Sequence, residues 1–251
     1  MGRSLRKDQR FLKDHRALER IVSWADPGPS DTVLEIGSGP GNLTALLAER
    51  GCRVVAVERD RRFAEELRRL ALPGVEVVEK DALQVPWPPF DLFVSNIPYS
   101  ITSPLLFRLL GHPFRRAVVT VQREVAERLA ARPGGKEYGR LTVGVGRRAS
   151  VRILGTLPPS AFAPRPRVAS AVVLLEPRGP PRPDDPWFEE VVRVLFSRRR
   201  KKIASILRDV WGVEGPVGHG DERPEALGPE ELGALAAEIR ARLPPGTPGR
   251  P

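Results

Sequence analysis

One cysteine, Cys52, and three scattered histidines, His15, His112 and His219, are all that this 251-residue chain offers to sulfur or imidazole chemistry. An internal disulfide and a multi-cysteine metal site are therefore excluded, and no metal is expected. No serine or cysteine is paired with a histidine in a pattern that would suggest a covalent nucleophile. Long apolar runs are missing too. The basic, polar residues 1–11 have no hydrophobic stretch behind them, so neither a membrane-spanning helix nor a secretory signal is expected. The expectation is a soluble, cytoplasmic protein that does not engage a membrane. Asparagine and tyrosine are also scarce, with two of each: Asn42, Asn96, Tyr99 and Tyr138.

Hydrophobic residues make up 41% of the chain, enough for a core, and the length suits one large domain or a domain with an appendage. The formal net charge of +10 predicts attraction to a polyanion. Charge alone does not choose between nucleic acid and an anionic surface.

Two of the four scarce residues fall together in Asn96, Ile97, Pro98 and Tyr99. An amide can accept a hydrogen bond from an amino group, a proline fixes the turn, and an aromatic ring can stack on a planar base. A polar turn after the apolar strand 90–95 would account for Asn and Pro equally well on its own. The neighbouring segments shift the balance toward a site.

Residues 17–24 show helical spacing, 26–30 form a Pro/Gly turn and 32–36 a short apolar strand. Gly37, Ser38, Gly39, Pro40, Gly41 and Asn42 follow, then a helical pattern over 43–50, a strand over 53–57, and Glu58 at its tip. This is the βαβ order of a nucleotide-binding fold, in which glycines let the backbone approach a ligand and the acid accepts ribose hydroxyls. Glu35, just before the glycines, could be a solvated charge, could orient the loop, or could hold an ammonium group. Strands over 75–79 and 90–95 end in polar clusters at Asp81 and Asn96, so Gly37, Glu58, Asp81 and Asn96 should share the carboxyl rim of a parallel sheet. A helix over 105–110, a strand over 117–121, a helix over 124–130 and a strand pair over 141–145 and 168–175 complete the expected α/β domain, residues 1–178. Residues 179–186 read as a proline-rich linker. A small helical domain, residues 179–251, should follow, with helices over 187–206 and 229–243 and a frayed tail over 244–251.

With these residues in place, the chain resembles the ribosomal RNA adenine dimethyltransferase family. The resemblance rests on the 35–41 turn, Glu58, Asp81 and the 96–99 turn. It is extended by residues 8–12, 122–124, 138–142, 162–170, 196–202 and 223–227. It covers nearly the whole chain. The opening motif departs from the family's Gly-Gln-Asn/His, with Asp8 before Gln9 and Arg10 after it, so a contact through the side chain at position 10 does not carry over, whereas a backbone contact does.

The resemblance implies a Rossmann-like S-adenosylmethionine-dependent methyltransferase sheet with a small C-terminal helical domain. It implies that the Asn96 side-chain oxygen and the Ile97 carbonyl accept the hydrogens of an adenine amine, that Pro98 shapes the turn, that Tyr99 stacks on the base, and that Phe162 covers its other face. Outside that context Phe162 reads as a core residue. For S-adenosylmethionine it implies Gly37 and Gly39 beside the methionine and ribose, Glu58 on the ribose, Asp81 on the adenine amine and Ala82 beside the ring. Gln9, Arg10, Phe11 and Leu12 would close over the site, with Glu35 and Asn96 nearby. Transfer of the methyl would be direct, without a covalent enzyme intermediate.

Arg198, Arg199, Arg200, Lys201 and Lys202 are five consecutive cations, expected to fan around a helix and bind RNA phosphates. The reading that follows is dimethylation of the 6-amino groups of two adjacent adenosines near the 3′ end of small-subunit (16S) rRNA during ribosome biogenesis, by a monomer acting on the rRNA or the pre-ribosomal small subunit. The alternatives are a macrolide-resistance type methyltransferase of a large-subunit adenosine, and a non-catalytic RNA-binding assembly factor.

Overall fold

The computed structural model describes residues 9–182 and 185–244. Asp8 of the opening motif, residues 183 and 184 of the expected linker, and 245–251 of the expected tail lie outside the described residues. In chain order the elements are β1 (Phe11–Leu12), α1 (His15–Ala25), β2 (Thr32–Ile36), α2 (Asn42–Ala48), β3 (Arg53–Glu58), α3 (Arg61–Arg69), β4 (Val75–Glu79), β5 (Leu92–Asn96), α4 (Thr102–Leu109), β6 (Arg116–Gln122) and α5 (Arg123–Leu129). They continue with α6 (Arg140–Gly146), β7 (Ala149–Leu157), β8 (Phe162–Ala163), β9 (Ser170–Pro177), α7 (Pro186–Ser197), α8 (Ile203–Trp211) and α9 (Pro229–Arg242).

The chain divides into two compact units. The first comprises residues up to 126 together with 149–181 and holds a seven-stranded sheet in the order β4-β3-β2-β5-β6-β9-β7. Strands β4 to β6 are parallel, while β9 and β7 run antiparallel at one edge. The apolar runs explain this layering: Val33, Leu34, Val54, Ala56, Phe93 and Val94 have no exposed surface, as befits strands covered on both faces. From β2 the chain winds outward through β3 to β4, then returns to add β5 on the other side of β2. The switch point therefore falls between β2 and β5, where an open α/β sheet binds its ligand beyond the carboxyl ends of the strands. Ser95 Oγ donates to the Ile36 carbonyl at 2.7 Å and locks those two ends together.

The second unit comprises 127–148 and residues from 182 onward. Its core is Trp187, Phe188, Val191 and Leu195 of α7, Ile203, Ile206 and Leu207 of α8, and Leu232, Leu235 and Ile239 of α9. The break near residue 181 falls close to the expected boundary at 179, but residues 127–148 group with the helical unit. Tyr138 explains this, being 1% exposed with its hydroxyl donating to the Leu227 carbonyl at 2.7 Å.

Two expected elements are corrected. Residues 141–145 form part of helix α6, and the partner of β9 is β7. Leu141, Val143 and Val145 mimic a period of two, but Gly139 starts the helix by donating its N–H to Thr142 Oγ1 at 3.3 Å, and burial of Val143 in the helical core outweighs β propensity. The single helix expected over 187–206 is two helices. The five-cation run occupies the turn between them, from the C-cap at Arg198 to the N-cap at Lys202, and does not fan around a helix.

Candidate active site

The glycine turn leaves β2 with Gly37 at φ +71° and Gly39 at φ +54°, conformations that side chains disfavour. Space is equally limiting. A Cβ on Gly39 would lie 2.6 Å from the Phe11 ring, and one on Gly37 would lie 3.2 Å from the Pro98 ring. Glu58 braces this turn: Oε2 accepts from the Gly39 N–H at 2.9 Å and Oε1 from the Asp60 N–H at 2.7 Å. Burial raises the Glu58 carboxyl above its usual range, opposed by those same amide donors.

Both asparagines of the chain hold the N-terminal strand. Asn42 Nδ2 donates to the Leu12 carbonyl and Asn96 Nδ2 to the Arg10 carbonyl, each at 2.8 Å. A carbonyl can only accept, so the Asn96 nitrogen faces Arg10 and its oxygen is left to accept from elsewhere. Position 10 thus acts through its backbone, while its guanidinium turns back to the Gln9 carbonyl at 2.8 Å. After Asn96, the Ile97 N–H donates to Thr120 O at 3.2 Å, Pro98 leads into a 3-10 turn at Tyr99–Ile101, and the Tyr99 hydroxyl lies 2.6 Å from Ser170 Oγ. The half-buried phenol is shifted upward, chiefly by burial.

At the end of β4, Asp81 Oδ1 accepts from Leu83 N at 2.9 Å and Oδ2 pairs with Arg59 at 3.3 Å. The Ala82 carbonyl receives two donors at 2.9 Å, Trp87 Nε1 and Arg108 Nη1, and Arg108 also reaches Val85 O. Arg108 lies 4.7 Å from the centre of the Trp87 ring.

Gln9, Arg10, Gly37, Glu58, Asp81, Ala82, Asn96 and Pro98 therefore line one cleft of about 760 Å3 including its open mouth. Leu12 and Glu35 line a smaller adjoining pocket that shares Gly37 and Asn96 with it. Glu35 is 2% exposed and accepts from Thr44 Oγ1 at 2.7 Å; desolvation pushes its carboxyl up to about 8. It stands as a buried brace of the turn, and beside it Ser38 Oγ is buried without a hydrogen-bond partner among the described residues. Phe162, expected to cover the far face of the base, is 2% exposed and packs in the core with Leu12. Phe11 lines the cleft as well, and Arg59, Asp60, Lys80, Ser100 and Ile101 line it without having been expected as individual ligands. Asp60 had a legible signal as the N-cap of α3, where it accepts from Arg62 N at 3.1 Å. Its carboxyl is held well below the usual range, mainly by the Arg62 guanidinium.

In the helical unit the five cations divide. Arg199 pairs with Glu225 at 2.6 Å, Lys201 with Asp209 at 3.1 Å and Lys202 with Asp221 at 2.9 Å. The exposed Arg198 and Arg200 have no side-chain partner among the described residues. Among the described residues no cluster of His, Cys, Asp and Glu could hold a metal, and no helix is long and apolar enough to cross a membrane.

A glycine turn and two carboxylates around a cleft at the switch point suit a nucleoside with an amino-acid tail, and the orphaned Ser38 hydroxyl leaves polar capacity in the adjoining pocket. The fold and cleft define a Rossmann-like, S-adenosylmethionine-dependent methyltransferase. Residues 4–214 match the ribosomal RNA adenine dimethylase family, and the chain belongs to it. It is an rRNA adenine dimethyltransferase. A Pyrobaculum aerophilum protein described as "Probable ribosomal RNA small subunit methyltransferase A" is 50% identical over 195 residues, 78% of this chain and 84% of that one. A dimethyladenosine transferase from Plasmodium falciparum superposes with a TM-score of 0.82 at 30% identity, covering 92% of this chain and 97% of that one. The 23S rRNA methyltransferase ErmE gives 0.66 at 31% identity, over 91% of this chain and 99% of that one.

Proposed function

We propose that this enzyme dimethylates the 6-amino groups of two adjacent adenosines near the 3′ end of small-subunit rRNA during ribosome assembly, acting as a cytoplasmic monomer. The observation that carries the chemistry is the Asn96 amide, fixed by Arg10 at 2.8 Å with its oxygen free to accept. An adenine amine is a weak nucleophile because its lone pair is delocalised into the ring. Acceptance of its two hydrogens by Asn96 Oδ1 and the Ile97 carbonyl localises that pair and aims it. Tyr99, its hydroxyl anchored on Ser170, offers the stacking face for a base taken out of its stack.

S-adenosylmethionine supplies an electrophilic methyl group on a sulfonium. The chain's part is to position: Glu58 receives the ribose, Asp81 the adenine amine, Ala82 the ring, Gly37 and Gly39 the methionine end, and the strand around Gln9–Leu12 closes over them. Such positioning contributes on the order of 7–11 kcal/mol in favourable cases. The small-subunit target is supported by the names of the curated relatives and by the higher TM-score of the dimethyladenosine transferase. ErmE favours the second reading, a large-subunit target, through an identity no lower than that of the first. Arg198 and Arg200 are the members of the cation run free to meet phosphates.

Labelled S-adenosylmethionine with purified unmethylated small and large subunits, followed by nucleoside mass spectrometry, tests the proposal. Dimethyladenosine on small-subunit RNA alone, absent with Asn96→Ala, is expected. Label on large-subunit RNA would transfer the enzyme to the second reading.

A further inference from the structure

Residues 163–168 form a loop fastened at both ends to the parts that hold the 96–99 turn. On one side Phe162 and Ala163 pair with Leu12 and Phe11 in a two-stranded ribbon, next to the Arg10 carbonyl that holds Asn96. On the other, Ser170 is fully buried with its Oγ 2.6 Å from the Tyr99 hydroxyl, and Ala169 O accepts from Arg123 N at 3.0 Å. Between these anchors Pro166 is buried, while Arg165, Arg167 and Val168 are exposed, Val168 at 41%.

Neither Arg165 nor Arg167 has a hydrogen-bond or carboxylate partner among the described residues. Two other arginines of the same unit are committed: Arg115 to Asp31 at 2.7 Å and Arg116 to the Trp24 carbonyl at 3.2 Å, both at the start of β6 and so at the rim opposite the cleft. Arg167 lies three positions before Ser170, a contour of at most about 10 Å, so its charge stays close to the stacking tyrosine. An unpaired base presented to Tyr99 carries a phosphate on each side, and two uncommitted guanidiniums two residues apart suit adjacent phosphates.

We propose that loop 163–168 grips the single RNA strand that flanks the target adenosine, with Arg165 and Arg167 each neutralising one phosphate. This rests on the RNA-methylating reading above. The test measures binding of the whole chain to a single-stranded oligoribonucleotide with two adjacent adenosines, by fluorescence anisotropy across a salt series, for the native chain, Arg165→Ala/Arg167→Ala, and Arg152→Ala as an exposed cation on β7.

The double variant should weaken binding and flatten the log–log salt slope by about 1.4, at about 0.7 per phosphate on a single strand. S-adenosylmethionine affinity, thermal midpoint and the Arg152→Ala slope should not move. An unchanged slope, or an equal loss in Arg152→Ala, overturns the proposal. So does weaker docking on small subunits with oligoribonucleotide binding intact, which would assign the loop to a protein partner. Binding requires no turnover, so failure to methylate either subunit would sink the functional reading without obscuring this result.

Discussion

Asn96 and Arg10, 86 residues apart in sequence, are joined by a 2.8 Å hydrogen bond from the side-chain amide of one to the backbone carbonyl of the other. In the proposed mechanism the N-terminal segment lining the cleft therefore also orients the acceptor for the target amine. Asn96→Ala should lower kcat by about two to three orders of magnitude, in line with loss of a preorganised polar group at a reacting centre. Asn96→Asp should be no better, because a carboxylate would face the Arg10 carbonyl. Single-turnover rates at saturating cofactor decide this; an aspartate variant with native rates would refute the assigned orientation.

Trp87 and Arg108 converge on the Ala82 carbonyl beside Asp81, and Arg108 arrives on α4, which follows the 96–99 turn. Trp87→Phe keeps a ring against His112 but deletes the indole donor and trims the bicyclic ring to one. About 1 kcal/mol for one hydrogen bond corresponds to roughly a fivefold weaker S-adenosylmethionine affinity, with kcat at saturation retained. Calorimetric titration beside steady-state kinetics separates the two.

Glu35 carries the clearest pH signature. Its folded carboxyl titrates near 8 against 4.5 for the ordinary group, because burial disfavours the charge. The folded chain holds a proton that the unfolded chain releases, so this contribution is complete below about 4.5 and is lost as pH rises toward 8. Glu35→Gln keeps an acceptor for Thr44 and has no proton to lose. Its thermal midpoint should gain on that of the native chain between pH 5 and 8; parallel curves would contradict the assignment.

Arg199 and Arg200 should part company despite being neighbours. Arg199 joins Glu225 at 2.6 Å and the Lys136 carbonyl at 3.3 Å, and the Glu225 carbonyl accepts from Gly134 N at 2.7 Å. Arg199→Ala should cost about 1 kcal/mol of stability. Arg200→Ala should leave the melting curve in place and weaken RNA binding instead.

The sheet and its rim were legible because their signals are local. Apolar runs of five or six residues, a Gly-x-Gly turn and a polar residue at each strand end place Gly37, Glu58, Asp81 and Asn96 without reference to distant parts of the chain. Residues 141–145 imitate a strand because Leu141, Val143 and Val145 alternate with smaller residues, and only the helical core around Trp187 selects the helix. The cation run misled in a related way: apolar residues on both sides suggested one helix, yet the chain turns at Arg198 and restarts at Lys202.

Sequence by itself determined the βαβ order, the cofactor class through the resemblance of its motifs, and the 96–99 turn, since periodicity and special backbone conformations are written in neighbouring residues. Tertiary structure alone decided that both asparagines pin the N-terminal strand, that Phe162 belongs to the core, and that residues 127–148 join the helical unit. Those outcomes depend on hydrogen bonds and burial between residues far apart in the chain, such as Tyr138 with Leu227, and pairings of that kind leave no periodic trace in either partner's surroundings.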